Sequence, residues 1–128
     1  MARPEKSGID YFPHDVDLSS DQKVEYIEAI YGLAGYAIYV KLLERIYRDG
    51  YFLYFGKMQR LIFANKYNLN PEELDKMVMD FIEIGLFNDT LYFTFDIITS
   101  KGLQERYIKC TERRKYREII KYLILMVP

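Results

Sequence analysis

The sequence holds no tryptophan, one cysteine (Cys110) and one histidine (His14) in 128 residues. A single thiol excludes an intramolecular disulfide framework and speaks against a thiolate metal cluster. A single imidazole speaks against histidine-rich metal sites and relays. No apolar run comes near the roughly 18 residues of a membrane span. The opening stretch MARPEKSGIDYF lacks the apolar segment of a secretory signal. A reduced, cytoplasmic chain with no membrane partner is expected. Gly-rich phosphate loops, HExxH and GxSxG are also absent. His14 has Asp15 beside it but no nucleophile to activate, and reads as a packing or surface residue. Asp10, Asp15 and Asp17 lack the spacing and glycine of a calcium loop, and turn formation or helix capping accounts for them better. The chain is therefore expected to be no enzyme, with no metal or cofactor.

What is present is apolar and aromatic mass. Half the residues are apolar, with 13 Tyr and 8 Phe, which excludes a disordered chain and suits one domain with one core. The formal net charge of −1 conceals a split. Residues 97–128 carry a balance of +5, through Lys101, Arg106, Lys109, Arg113, Arg114, Lys115, Arg117 and Lys121 against three glutamates, while the remainder carries −6. Such a split points one end toward an anionic partner; a solvated helix face or pairing of the basic end with the acidic body is the alternative.

Along the chain, residues 1–18 read as an arm without periodicity. Ser19 and Gln22 suggest a capping box and a helix over about 20–31, with Val24, Ile27, Ala29, Ile30 and Tyr31 apolar and Gly32 ending it. A second helix over about 34–48 is apolar on most sides, through Tyr36, Tyr39, Val40, Leu43, Tyr47 and the row Ile38, Leu42, Ile46, and so belongs at the centre of the core. Tyr51–Phe55 has strand length. A helix over about 58–67 follows, with Leu61, Ile62 and Phe63 expected inside. Asn70-Pro71-Glu72-Glu73 is the strongest local signal: Asn at N-cap, Pro at N1 and Glu at N3 start a helix over 71–84, with Leu74, Met77, Val78, Phe81 and Ile82 inward. Residues 86–97, with a turn at Asn88-Asp89-Thr90, read as a hairpin. Thr99 or Ser100 should cap a last helix over about 100–122, with Leu103, Tyr107 and Cys110 on its apolar stripe.

The expected fold is mainly α with a small β-sheet. It is winged-helix-like, a helix-turn-helix variant plus β-hairpin, with an N-terminal arm (1–18), a body (19–99) and a long basic C-terminal helix (100–128) packing on it. Such a fold would read duplex DNA through its third helix. Here that helix shows Glu72, Glu73, Asp75, Asp80 and Glu83 outward against Lys76 alone, which would repel phosphates. Lys57, Arg60 and Lys66 form a weak alternative. The best nucleic-acid-binding candidates are Lys101, Arg106, Lys109, Arg113, Arg114, Lys115 and Arg117. Tyr107, Tyr116 and Tyr122 lie among those bases and either stack on unpaired bases or pack on the body. The apolar end, with Tyr122, Leu123, Leu125 and Met126, is the candidate partner-binding surface.

Three stretches carry a resemblance: Asp10-Tyr11-Phe12-Pro13-His14-Asp15-Val16-Asp17; Tyr31-Gly32-Leu33 through Tyr47 with Gly50-Tyr51; and Ile98-Thr99-Ser100-Lys101-Gly102-Leu103-Gln104-Glu105-Arg106-Tyr107 with Arg113-Arg114-Lys115. Over about residues 1–115 the chain resembles the N-terminal domain of a family of bacterial and prophage-borne proteins of unassigned function. That domain is similar to the winged-helix part of DnaD-like replication initiators and phage replisome organisers. The resemblance implies a module for (pro)phage DNA replication initiation that self-associates, contacts DNA weakly and without sequence specificity, and meets replisome proteins. Family members continue past Arg113-Arg114-Lys115, so a DNA-engaging C-terminal half is expected to be missing or truncated here. The competing expectation is a protein–protein interaction and oligomerisation module with no nucleic-acid role.

Overall fold

A computed structural model describes residues 8–12 and 14–112. The described chain is mainly helical with one small sheet. After a 3-10 turn at Leu18–Ser20 come α1 (Gln22–Tyr31), α2 (Leu33–Asp49), β1 (Leu53–Tyr54), α3 (Lys57–Lys66), α4 (Pro71–Glu83), α5 (Asp89–Phe95), β2 (Ile97–Ile98) and α6 (Lys101–Thr111). No helix among the described residues is long and apolar enough to cross a membrane.

Helix starts follow local chemistry. The Asn70 carboxamide accepts from the amides of Glu72 and Glu73 at 2.9 and 3.3 Å, and Pro71 opens α4. Its five expected inward residues are all buried. α1 begins later than the Ser19 signal suggests. Ser19 falls within the 3-10 turn, and Asp21 is the N-cap, its carboxylate taking the amides of Lys23 and Val24. Gly32 joins α1 to α2 at φ +69°, a left-handed conformation that side chains resist.

α2 occupies the centre. Ile38, Tyr39, Leu42, Leu43, Ile46 and Tyr47 are buried, while Tyr36 and Val40 sit at its rim. Tyr39 meets the rings of Phe81 and Phe87, which brings α2, α4 and the following loop together. Burial holds the hydroxyls of Tyr39 and Tyr47 in their neutral form, and the nearby Arg106 guanidinium only partly offsets it; both groups are pushed up to about 12. α1 is tied to α4 by the Tyr31 hydroxyl donating to the Asp80 carboxylate; desolvation, followed by that bond, keeps the phenol protonated.

The expected hairpin over 86–97 is not formed. Asn88 instead caps α5, accepting from the Leu91 amide at 2.9 Å, and Asp96 ends that helix in the left-handed region at φ 58°. The helix keeps Tyr92 inside and leaves Phe93 and Phe95 exposed. The sheet pairs β1 with β2 antiparallel, Leu53 opposite Ile98 and Tyr54 opposite Ile97, with the Phe55 amide donating to the Asp96 carbonyl. Residues 91–95 are aromatic-rich, as a strand would be. The Asn-Asp-Thr triplet supplies helix-start chemistry instead, and the pairing edge goes to residues 97 and 98.

Two further expectations are corrected. In α3, Phe63 and Ala64 are buried, whereas Leu61 and Ile62 are 55% and 58% exposed. At 100° per residue, three consecutive side chains cannot all face one core. Cys110 is exposed rather than a core residue, because Leu103, Gln104, Tyr107 and Thr111 take the inward positions of α6. Ala29 and Ile30 likewise lie on the outer side of α1.

Candidate functional site

The arm and α6 meet across α2. The Gly8 backbone presses on the C-terminal end of α2, where an added Cβ would lie 1.7 Å from the Arg48 carbonyl oxygen. The Ile9 amide donates to the Tyr47 carbonyl at 2.8 Å, and Phe12 stacks on the Tyr47 ring at 4.9 Å between centroids. Further along, His14 Nε2 lies 3.0 Å from the Tyr36 hydroxyl. The arm therefore runs back along α2. It then turns at Asp15, whose carboxylate accepts from the Asp17 amide at 2.8 Å. Asp15 thus does the turn work expected of it, whereas Asp17 precedes the 3-10 turn without a side-chain capping bond and the capping aspartate is Asp21.

On the opposing side, Ser100 caps α6 by accepting from the Leu103 amide at 3.2 Å. Thr99 and Gln104 are buried polar residues with defined partners. The Thr99 hydroxyl donates to the Tyr51 carbonyl at 2.5 Å, and Gln104 Nε2 donates to Thr99 Oγ1 at 3.2 Å. The Tyr47 hydroxyl reaches the Leu103 carbonyl at 3.4 Å, and Tyr107 packs on Tyr51 at 5.3 Å. A half-satisfied buried network would be costly, so this one fixes how α6 seats on the body. Tyr107, fully buried, packs on the body and is not available for base stacking.

Between the two stretches opens a cleft of about 390 Å³. Its lining combines Asp15, Asp17 and Asp21 with Lys101, Gly102 and Arg106, and includes Lys23 and Tyr39. The sequence pattern did not bring these residues together. The available signal was that two of the stretches carrying the resemblance each end in charged residues.

Three nucleic-acid candidates fall within the described residues. Lys101 and Lys109 are exposed; Arg106 is half-buried and folds back so that its Nε donates to the Gly102 carbonyl at 3.2 Å. Glu105 and Glu112 are exposed beside them, so the described part of α6 presents mixed charge. Arg113, Arg114, Lys115, Arg117, Tyr116 and the proposed partner residues Tyr122, Leu123, Leu125 and Met126 lie outside the described residues. Glu72, Glu73, Asp75 and Glu83 are exposed on α4, the acidic outer face the spacing predicts.

Residues 11–103 match the family described as Lin1244/Lin1753-like, N-terminal. The chain belongs to that family. It is 40% identical over 129 residues to the uncharacterized phage-related protein Lin1244/Lin1753 of Listeria innocua serovar 6a, a match that takes in all of this chain and 42% of the relative. The chain thus spans under half the length of that relative. No solved structure matches it. Membership in the Lin1244/Lin1753-like family associates the chain with prophage, as the resemblance implied. The matched span also includes the cleft-lining residues Asp15, Asp17, Asp21, Ser100 and Lys101.

Proposed function

We propose that this domain is a non-enzymatic, cytoplasmic module of a prophage protein acting in DNA replication initiation. It would self-associate, meet replisome proteins, and contact DNA weakly through its basic C-terminal segment, Lys101 to Arg117. The observation that carries the DNA part is the charge split of +5 over residues 97–128 against −6 elsewhere. Basic side chains gathered at one end neutralise phosphates, while the acidic outer face of α4 argues against a duplex docked on that helix. The succession of α2, β1, α3, α4 and β2 supports a winged-helix-like scaffold whose wing is replaced by α5.

A mobility-shift series on single- and double-stranded DNA tests this. Binding should weaken steeply with salt and fall further with Arg113→Ala plus Arg114→Ala. Absence of binding at low salt, or binding indifferent to both substitutions, overturns the DNA part.

A second reading rests on α3. Met58, Leu61 and Ile62 recur at i, i+3 and i+4 and are 67%, 55% and 58% exposed. An apolar stripe of this kind suits a protein–protein interaction module without nucleic-acid contact. Sedimentation velocity over a concentration series should then show reversible association that Leu61→Lys abolishes; a monomer throughout rejects it.

A further inference from the structure

We infer that the α2–α3 face built from Lys41, Arg45, Lys66 and Tyr67 is a second nucleic-acid surface, one that takes a single strand of DNA. The inference rests on the DNA contact proposed above and places part of it on residues outside the basic C-terminal segment. Three cations from two helices converge on one ring. Lys41 Nζ lies 6.0 Å from the Tyr67 centroid, Arg45 Cζ 5.9 Å and Lys66 Nζ 5.6 Å. Arg45 also stacks at 4.7 Å over Phe63, which is fully buried and anchors the guanidinium.

Crowded like charges repel, so something must offset the repulsion. The ring quadrupoles do part of this, and the carbonyl end of α3, where Lys66 and Tyr67 sit, does more. Carboxylates do little. Among the described residues the one ion pair to this group is Lys41–Glu44 at 3.7 Å, with both side chains well exposed. Other cations of the described chain are differently placed: Arg60 is bonded to Asp75 and to the Phe55 carbonyl, Lys23 to the Gly85 carbonyl and Arg106 to the Gly102 carbonyl. Lys41, Arg45 and Lys66 instead direct their charges at an aromatic face. The cluster therefore retains an excess of positive charge and donors suited to phosphate oxygens.

Charge complementarity selects the occupant. A polyanion answers the excess charge, and a half-exposed tyrosine beside it answers an unpaired base. The acidic first turn of α4, with Glu72 and Glu73, follows Tyr67 a few residues on in the chain. A duplex laid across α3 and α4 would press its phosphates on those carboxylates. A single strand is narrow enough to follow Lys41, Arg45 and Lys66 with one base against Tyr67.

The test is fluorescence anisotropy with a labelled oligo-dT of about 15 nucleotides, at several salt concentrations, on the whole chain. Lys41→Glu plus Lys66→Glu changes exposed lysines and should leave the fold intact by circular dichroism. It should weaken binding at least tenfold and flatten the plot of log affinity against log salt, by roughly 0.7 per lost phosphate contact. Tyr67→Leu should weaken oligo-dT binding severalfold and leave duplex binding unchanged. A folded double-lysine variant that binds as the native chain does overturns the inference. If Arg113→Ala plus Arg114→Ala abolishes binding while the patch variants do not, the C-terminal contact stands and the patch fails. The reverse result upholds the patch and removes the C-terminal contact. No binding of oligo-dT by the native chain at low salt overturns both.

Discussion

Gly8 lies against the carbonyl of Arg48 so closely that a methyl group on it would sit 1.7 Å from the oxygen. The arm is thus fastened at a point where only glycine fits, beside the 2.8 Å bond from the Ile9 amide to the Tyr47 carbonyl. Gly8→Ala should lift the arm from α2. The cost should be roughly 1–3 kcal/mol, the range of an overpacked contact, and cannot exceed the arm's own docking energy. Hydrogen exchange should quicken at the Ile9 amide while core amides of α2 keep their protection.

Asn88 distinguishes the helix observed at 89–95 from the hairpin that a turn at Asn88-Asp89-Thr90 suggested. Its carboxamide accepts from the Leu91 amide at 2.9 Å. Asn88→Ala should cost about 1 kcal/mol, as loss of an N-cap does. Asn70→Ala at α4 should cost a similar amount. Urea denaturation followed by far-ultraviolet circular dichroism measures both, and a neutral Asn88→Ala would speak for a hairpin.

Phe63 and Leu61 are two positions apart on α3 and face opposite ways. Phe63→Ala removes a fully buried ring and should destabilise by about 3–5 kcal/mol. Leu61→Ala, at a site 55% exposed, should stay within about 0.5 kcal/mol. Thermal unfolding separates the two, and equal effects would contradict the orientation of α3.

Tyr39 and Tyr47 make stability fall in alkali. Burial raises both hydroxyls from their ordinary value of 10.0 to about 12 in the folded chain. Between those values the unfolded chain has released its protons and the folded chain has not, so unfolding is favoured as pH rises. Their contribution is complete below pH 10 and is lost as pH climbs toward 12, at up to roughly 1.4 kcal/mol per pH unit for each group. Urea midpoints from pH 8 to 11.5 should decline accordingly, and Tyr39→Phe should make the decline shallower.

Much of the architecture was legible because its causes are local. The Asn70-Pro71 start, the inward row of α4 and the central position of α2 follow from capping chemistry and apolar periodicity within single segments. Leu61 and Ile62 misled because an apolar residue is no proof of burial when a surface can expose it. The cleft and the Tyr67 cluster were less accessible still. Lys41 and Arg45 stand four apart on one helix, which the spacing shows, but Lys66 and Tyr67 reach them only through packing of α2 on α3.

The amino-acid sequence by itself determined most of the helical segments, though not α5, how several of them begin, that α4 turns an acidic face outward, and that positive charge gathers toward one end. Each of these depends on neighbours a few residues apart. Tertiary structure alone decided that β1 pairs with β2 rather than within a hairpin, that the arm lies back along α2, that Thr99 and Gln104 are buried and bonded, and that Arg106 comes near the phenols of Tyr39 and Tyr47. These outcomes depend on which distant surfaces compete for the same core and on pairing every buried polar group. No short stretch of sequence contains that information.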